Sequence, residues 1–222
     1  MDQILLIDKP SGISSFGVIR KLRRILGVKK IGHAGTLDPL ATGLLVVLVG
    51  KACKQSAELT GHDKVYEATV ELGRSTTTDD AEGEVLATAA VPELNRAELL
   101  RVLHSFVGEQ QQIPPNFSAI SVGGKRAYKM ARQGQTFELA PRSIRIDSIE
   151  LLAFKPPLLT IRVHCSKGTY IRALARDIGA KLGSAGYLSA LRRLRSGSYD
   201  IADAVRVEQV SVPFVCDHNN IT

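Results

Sequence analysis

Gly32-His33-Ala34-Gly35-Thr36-Leu37-Asp38-Pro39-Leu40-Ala41-Thr42-Gly43 runs directly into the apolar run Leu44-Leu45-Val46-Val47-Leu48-Val49, which Gly50 closes. An unbroken apolar run between glycines predicts a central strand buried on both faces. The loop that feeds it spends its one carboxylate, Asp38, immediately before a proline. Pro39 biases Asp38 toward an extended conformation, and the flanking glycines allow turns and close approach by another molecule. Asp38 is therefore expected to be held at the mouth of a buried strand. The end of the run, Gly50-Lys51, superficially resembles a phosphate-binding loop. Six residues separate Gly43 from Gly50, however, and Ala52 stands where a magnesium-binding hydroxyl is needed, so no ATP or GTP site is expected.

Working outward, Ile4 to Ile7 reads as a short strand entering the Lys9-Pro10-Ser11-Gly12 loop. A helix follows, capped by Ser15, with Val18, Ile19, Leu22, Ile25 and Leu26 at helical spacing until Gly27. Tyr66 to Leu72 alternates as a strand that puts Tyr66, Ala68, Val70 and Leu72 on one face. Pro92 to Phe106 reads as a helix closed by Gly108, and residues 110 to 142 as loops around a short helix at Tyr128 to Arg132. Ile144 to Leu152 and Leu158 to His164 read as paired strands, Tyr170 to Leu182 as a helix stopped by Gly183, and Ser198 to Ile201 as a final strand. The pattern predicts one α+β domain over residues 1–222, with a mixed, largely antiparallel central sheet flanked by helices and loops.

Hydrophobic residues at 44% and charged residues at 23% are globular values, while the absence of Trp and 5% aromatics disfavour a fold built on stacking platforms. The net charge of +7 suits a polyanionic partner. Arg20, Lys21, Arg23, Arg24, Lys29 and Lys30 lead into the Asp38 loop, and Arg192, Arg193 and Arg195 form a second cluster; together they could embrace one folded RNA. Cys53, Cys165 and Cys216 form no CxxC pair, and the five histidines have no metal-ligand spacing, so neither a disulfide framework nor a metal is expected. The acidic run Asp79-Asp80-Ala81-Glu82-Gly83-Glu84 lacks EF-hand spacing. No run approaches a membrane span and no secretion signal is visible, so the expected location is the cytoplasm.

Several further segments fall in a recognisable order: Asp8-Lys9-Pro10-Ser11-Gly12 with Ser14-Ser15, then Lys64-Val65-Tyr66 with Leu72-Gly73, then Pro114-Pro115-Asn116-Phe117-Ser118-Ala119-Ile120, then Ser166-Lys167-Gly168-Thr169-Tyr170-Ile171-Arg172. With the Asp38 loop, these resemble the DKPxGxTS, KxYxxxxxLG, PPxYSA, SxGTYIR and GHxGTLDPLATG elements of the TruB family, the tRNA pseudouridine-55 synthases. The resemblance covers approximately residues 4 to 200 and implies the pseudouridine synthase fold. It also implies conversion of the T-arm uridine of tRNA to pseudouridine without cofactor, guide RNA, membrane or obligate protein partner. The family's usual C-terminal PUA module is not expected, because too few residues follow the final strand.

Pseudouridine formation breaks the N1 glycosidic bond, rotates the base and joins its C5 to the same ribose carbon, and a carboxylate nucleophile can divide this into accessible steps. The resemblance assigns that nucleophile to Asp38; attack at the ribose carbon, addition to the uracil ring and proton abstraction at the sugar all remain open. A uridine stacked in RNA hides these bonds, so extrusion of the nucleotide is expected. The resemblance implies that His33 and Tyr170 contact the substrate and that Leu191 offers an apolar or backbone contact, against its ordinary reading as a core leucine. Tyr66 can stack on the extruded base while its phenol serves as a polar handle or proton-transfer group. Arg172 could ion-pair with Asp38, with Asp80 orienting that arginine from the other side. Lys9, Arg23, Arg24, Lys64, Lys125 and Arg126 are candidate phosphate contacts, and residues 108–142 a candidate RNA-contacting insertion. A noncatalytic RNA-binding module and a guide-dependent synthase are the competing readings.

Overall fold

The computed structural model describes residues 2–118 and 120–211, apart from the side chains of Val122 and Arg126. The chain divides into two compact units, residues 1–66 with 191–222 and residues 67–190.

The first unit begins with strand β1 (Gln3–Lys9), helix α1 (Ser15–Leu26), strand β2 (Ile31–Ala34) and strand β3 (Thr42–Val49). β3 is the expected buried strand: every residue from Gly43 to Val49 is buried. Leu44, Val46 and Leu48 join Ala34, Ala52 and Leu59 in one apolar cluster, while Leu45, Val47 and Val49 are buried on the opposite face. Each such leucine contributes about 1.5–3 kcal/mol by leaving water, so an apolar run without polar interruption has no more stable place than between two layers. β3 pairs antiparallel with β1 and with β2. α1 differs from expectation at its start. Its cap is Ser14, whose hydroxyl accepts the Gly17 N–H at 3.0 Å, whereas Ser15 is buried as the first helical residue. A short helix α2 (Ser56–Thr60) then leads into strand β4 (Lys64–Leu72), which crosses into the second unit with Tyr66, Ala68, Val70 and Leu72 on its buried face as expected.

The second unit continues with the hairpin β5 (Arg74–Thr76) and β6 (Val85–Thr88), helix α3 (Arg96–His104), strand β7 (Gly108–Gln112), hairpin β8 (Ser121–Val122) and β9 (Lys125–Arg126), and helix α4 (Ala127–Arg132). Asn95 and Glu98 form a reciprocal capping box, so α3 starts later than the sequence suggested. Gly108 opens a strand instead of merely closing that helix. The unit ends with strands β10 (Arg142–Lys155) and β11 (Leu158–Cys165), helix α5 (Ile171–Lys181) and strand β12 (Gly186–Ser196). Its strand order is β12-β4-β11-β10-β7, with β10 antiparallel to both neighbours.

β12 carries the chain back into the first unit, followed by β13 (Tyr199–Asp200) and β14 (Val205–Arg206). There the order is β14-β1-β3-β12, with β3–β12 and β1–β14 parallel. The combination of helices with mixed, mainly antiparallel pairing is the expected α+β class. Among the described residues, no helix is long and apolar enough to cross a membrane.

Candidate active site

In the first unit the Asp38 loop is tied at nearly every neighbouring peptide. Ser15 Oγ donates to the Leu37 carbonyl at 3.0 Å and accepts the Leu37 N–H at 2.8 Å. The Pro39 carbonyl accepts from the Gly12 N–H at 2.9 Å and from Lys9 Nζ at 3.2 Å, and Ser11 Oγ donates to the Leu40 carbonyl at 3.1 Å. The Asp38 carbonyl itself accepts the Ala41 N–H at 3.1 Å. The Lys9-Pro10-Ser11-Gly12 segment and Ser15 are therefore the cradle of the aspartate loop. The half-buried Asp38 side chain stands on a backbone fixed from both sides.

The downstream end is held by β12. Arg193 is 1% exposed, and its guanidinium donates to the Leu44 carbonyl at 2.7 Å and the Gly35 carbonyl at 3.2 Å, so one side chain spans both ends of the loop. The backbones also meet there: Gly43, at φ +95°, pairs with Arg193, and a Cβ on Gly43 would lie 2.3 Å from the Arg193 carbonyl oxygen. Only glycine fits that approach. Thr42 Oγ1 donates to the Leu191 carbonyl at 3.2 Å, which places Leu191 against the end of the same loop.

His33 lies in β2, not in a loop, and is partly buried. Burial, and then the positive charge of Arg193, hold its imidazole below the ordinary histidine value and favour the neutral ring. Tyr66 is 9% exposed on the buried face of β4.

Two of the lysines expected on phosphate are interior instead. Lys9 is fully buried and its ammonium donates to the carbonyls of Pro10, Ile13 and Pro39; Lys64 is 6% exposed and donates to those of Thr60 and His62. An ammonium committed to main-chain carbonyls in the interior organises loops and does not reach an external phosphate. The second basic cluster also dissolves. Arg193 points inward, Arg192 forms a two-pronged pair with Asp8 at 3.0 and 2.8 Å, and Arg195 is exposed. Arg24 and Lys125 are exposed, Arg23 is partly buried with Nη2 on the Ile31 carbonyl at 3.0 Å, and the Arg126 side chain lies outside the described residues.

In the second unit Arg172, 7% exposed near the start of α5, gathers two segments. It donates to the Thr78 and Phe117 carbonyls, each at 3.0 Å, and approaches the Asp80 carboxylate at 3.5 Å. Asp80 is 2% exposed and accepts from the Thr78 hydroxyl and the Glu82 N–H. The acidic run is thus a turn organised around arginine. Its neighbour Asp79, at φ +58°, pairs with Arg176 at 2.9 Å. Burial pushes the Asp79 carboxyl above its ordinary value, against the opposing pull of Arg176 and Arg172. Tyr170 caps α5 without a side-chain bond of its own to the helix. The buried Gln112 serves instead, accepting the Tyr170 N–H at 2.9 Å and donating to the Tyr170 carbonyl at 3.1 Å.

Sequence reasoning missed Ser11, Arg193 and Gln112. For Arg193 the signal becomes readable only once β12 is seen as a strand: its neighbouring residues point to opposite faces, so Arg192 and Arg193 do not share one basic surface. Gln112 in a glutamine-rich stretch carried no such signal.

Residues 23–171 match the N-terminal domain of the TruB family pseudouridylate synthases, and residues 172–219 match the tRNA pseudouridylate synthase B C-terminal domain. The chain is 46% identical to tRNA pseudouridine synthase B of Syntrophotalea carbinolica, over 96% of this chain and 69% of that one. It is 47% identical to the protein of the same name from Opitutus terrae, over 95% and 87%. Among solved structures it resembles a chain of a Cbf5–Nop10–Gar1 complex, with TM-score 0.69, 30% identity and coverage of 89% of this chain. It also resembles a chain of an H/ACA RNP bound to a substrate RNA containing 2′-deoxyuridine, with TM-score 0.71, 26% identity and 96% coverage. The chain spans about half the length of those solved chains, at 49% and 53%. With family matches that run through nearly its whole length, this chain belongs to the TruB family of pseudouridylate synthases.

Proposed function

We propose that the chain isomerises the T-arm uridine at position 55 of tRNA to pseudouridine, with Asp38 as nucleophile, after extrusion of the nucleotide and without a guide RNA. The observation that carries this reading is the fixation of the Asp38 loop by Ser11, Gly12, Ser15, Lys9 and Arg193. A nucleophile held by its backbone loses little freedom when it meets the substrate, and such pre-organisation can supply several kcal/mol of the barrier.

Uridine and pseudouridine are isomers, so the reaction balances without an oxidant or energy source. The N1–C1′ bond breaks, the C5–C1′ bond forms, a proton leaves C5 and a proton arrives at N1. The Asp38 carboxylate supplies the charge that begins this exchange, through the ribose carbon, the uracil ring or a sugar proton. Tyr66 stacks on the extruded base, and its phenol is a polar handle or proton-transfer group. His33, kept neutral, offers a flat ring to substrate RNA near the loop, and Leu191 an apolar or main-chain contact. The family resemblance assigns Tyr170 a nucleotide contact and Arg172 a catalytic role, with Asp80 fixing the orientation of Arg172.

The test is to incubate purified protein alone with unmodified tRNA and with a T-arm hairpin, then map every pseudouridine. Product at the single T-arm uridine is expected. No product without added RNA or protein would overturn the stand-alone reading, and modification elsewhere would overturn the site assignment.

A further inference from the structure

Helix α1 carries a feature that the catalytic reading does not use. Phe16 is 61% exposed, and the Arg23 guanidinium lies over its ring, 5.8 Å from the centroid. Arg23 is anchored from behind by its bond to the Ile31 carbonyl, so the cation is pre-positioned on the aromatic face. Helical spacing puts Phe16, Arg20 and Arg23 on one stripe, with Arg24 beside it. Arg20 and Arg24 are exposed, and α1 contains no acidic residue. The stripe starts next to the catalytic loop: Ser15, the residue before Phe16, bonds both the N–H and the carbonyl of Leu37, the residue before Asp38.

We propose that this stripe is an RNA-docking surface on which Phe16 stacks with an unpaired nucleobase of the substrate, while Arg20 and Arg24 take flanking phosphates. The inference rests on the assignment of RNA as substrate. An exposed ring backed by a fixed cation suits a planar, electron-rich base, and cations along a helix without carboxylates suit the phosphates on either side of it. A lipid surface is a poorer match, because the single large aromatic group gives the helix little apolar area to insert.

The chain contains no Trp, so Phe16→Trp introduces a unique fluorophore at the stacking position. A T-arm hairpin should quench it. Inorganic polyphosphate, which offers charge without bases, should displace the hairpin without quenching. Phe16→Leu, which keeps an apolar side chain but removes the aromatic face, should weaken hairpin binding roughly 5- to 150-fold, the range expected for one base stack. Arg24→Ala should reduce the slope of log affinity against log salt by about 0.7–0.9. Binding by Phe16→Leu within twofold of the parent, or no quenching by RNA, overturns the proposal. A spectral shift with phosphatidylglycerol vesicles in place of RNA assigns the helix to membrane and overturns it as well. Pseudouridine formation by the parent protein is followed in parallel. Product with an unaffected Phe16→Leu variant rejects the docking surface alone, whereas absence of product from the parent rejects the catalytic reading.

Discussion

Replacing Ser15 with alanine tests the loop cradle at its most buried bond. Ser15 and Leu37 are 1% and 3% exposed, and the hydroxyl both accepts the Leu37 N–H and donates to the Leu37 carbonyl. Ser15→Ala leaves one buried donor and one buried acceptor without this partner, each costing about 1–3 kcal/mol. The gain in helix propensity returns a few tenths of a kcal/mol, and local relaxation recovers part of the rest, so a net loss of about 2–4 kcal/mol is expected. Urea unfolding should show it as a lower midpoint with an unchanged slope. Turnover on a T-arm hairpin should fall about tenfold or more, since 1.4 kcal/mol of misplacement at Asp38 suffices for that. Ser14→Ala is the matched control. It removes an exposed helix cap worth about 1 kcal/mol and should leave turnover near the parent value. A Ser15→Ala protein within 0.5 kcal/mol of the parent and fully active would refute the cradle.

Arg193→Met should remove the donors from the Gly35 and Leu44 carbonyls, lower stability by about 2–4 kcal/mol, and raise the His33 titration seen by NMR, because one of the influences depressing it is gone. His33 itself predicts an acid-side effect. Its native value lies below the unfolded 6.5, so its stabilising contribution is complete above pH 6.5 and lost as the pH falls toward the native value. His33→Gln should flatten that part of the stability profile, and an unchanged profile would contradict the buried, neutral assignment. Tyr66→Phe should retain far more turnover than Tyr66→Ala where stacking dominates, and equal loss with unchanged RNA affinity would move the role to the phenol.

Much of this architecture was legible where one physical effect dominated. The Leu44–Val49 run had to be an interior strand, and the alternation from Tyr66 to Leu72 assigned its buried face correctly. The helix over Ser15–Leu26 was legible too, but its phase was underused: Ser15 shares a face with Val18, Ile19, Leu22 and Leu26, which argues for burial and leaves the cap to Ser14. β7 was hidden because Gln110, Gln111 and Gln112 show no apolar alternation; its pairing with β10 makes the strand. β12 was hidden for a related reason, since Leu188, Leu191 and Leu194 recur every three residues and strand pairing overrides that spacing. Charge was the least readable property. Lys9, Lys64 and Arg193 count toward a basic surface in any sum over the sequence, and only their carbonyl partners show that they serve the interior.

The most direct test of the account is Asp38→Asn, which keeps the size and main-chain bonds of the residue and removes its nucleophilic charge. Pseudouridine in the T-arm hairpin and hairpin affinity should be measured on the same preparation, with its unfolding midpoint compared with the parent. A folded protein that binds RNA within a few-fold of the parent and forms no pseudouridine is expected. Substantial turnover by a sequence-verified Asp38→Asn protein would contradict it.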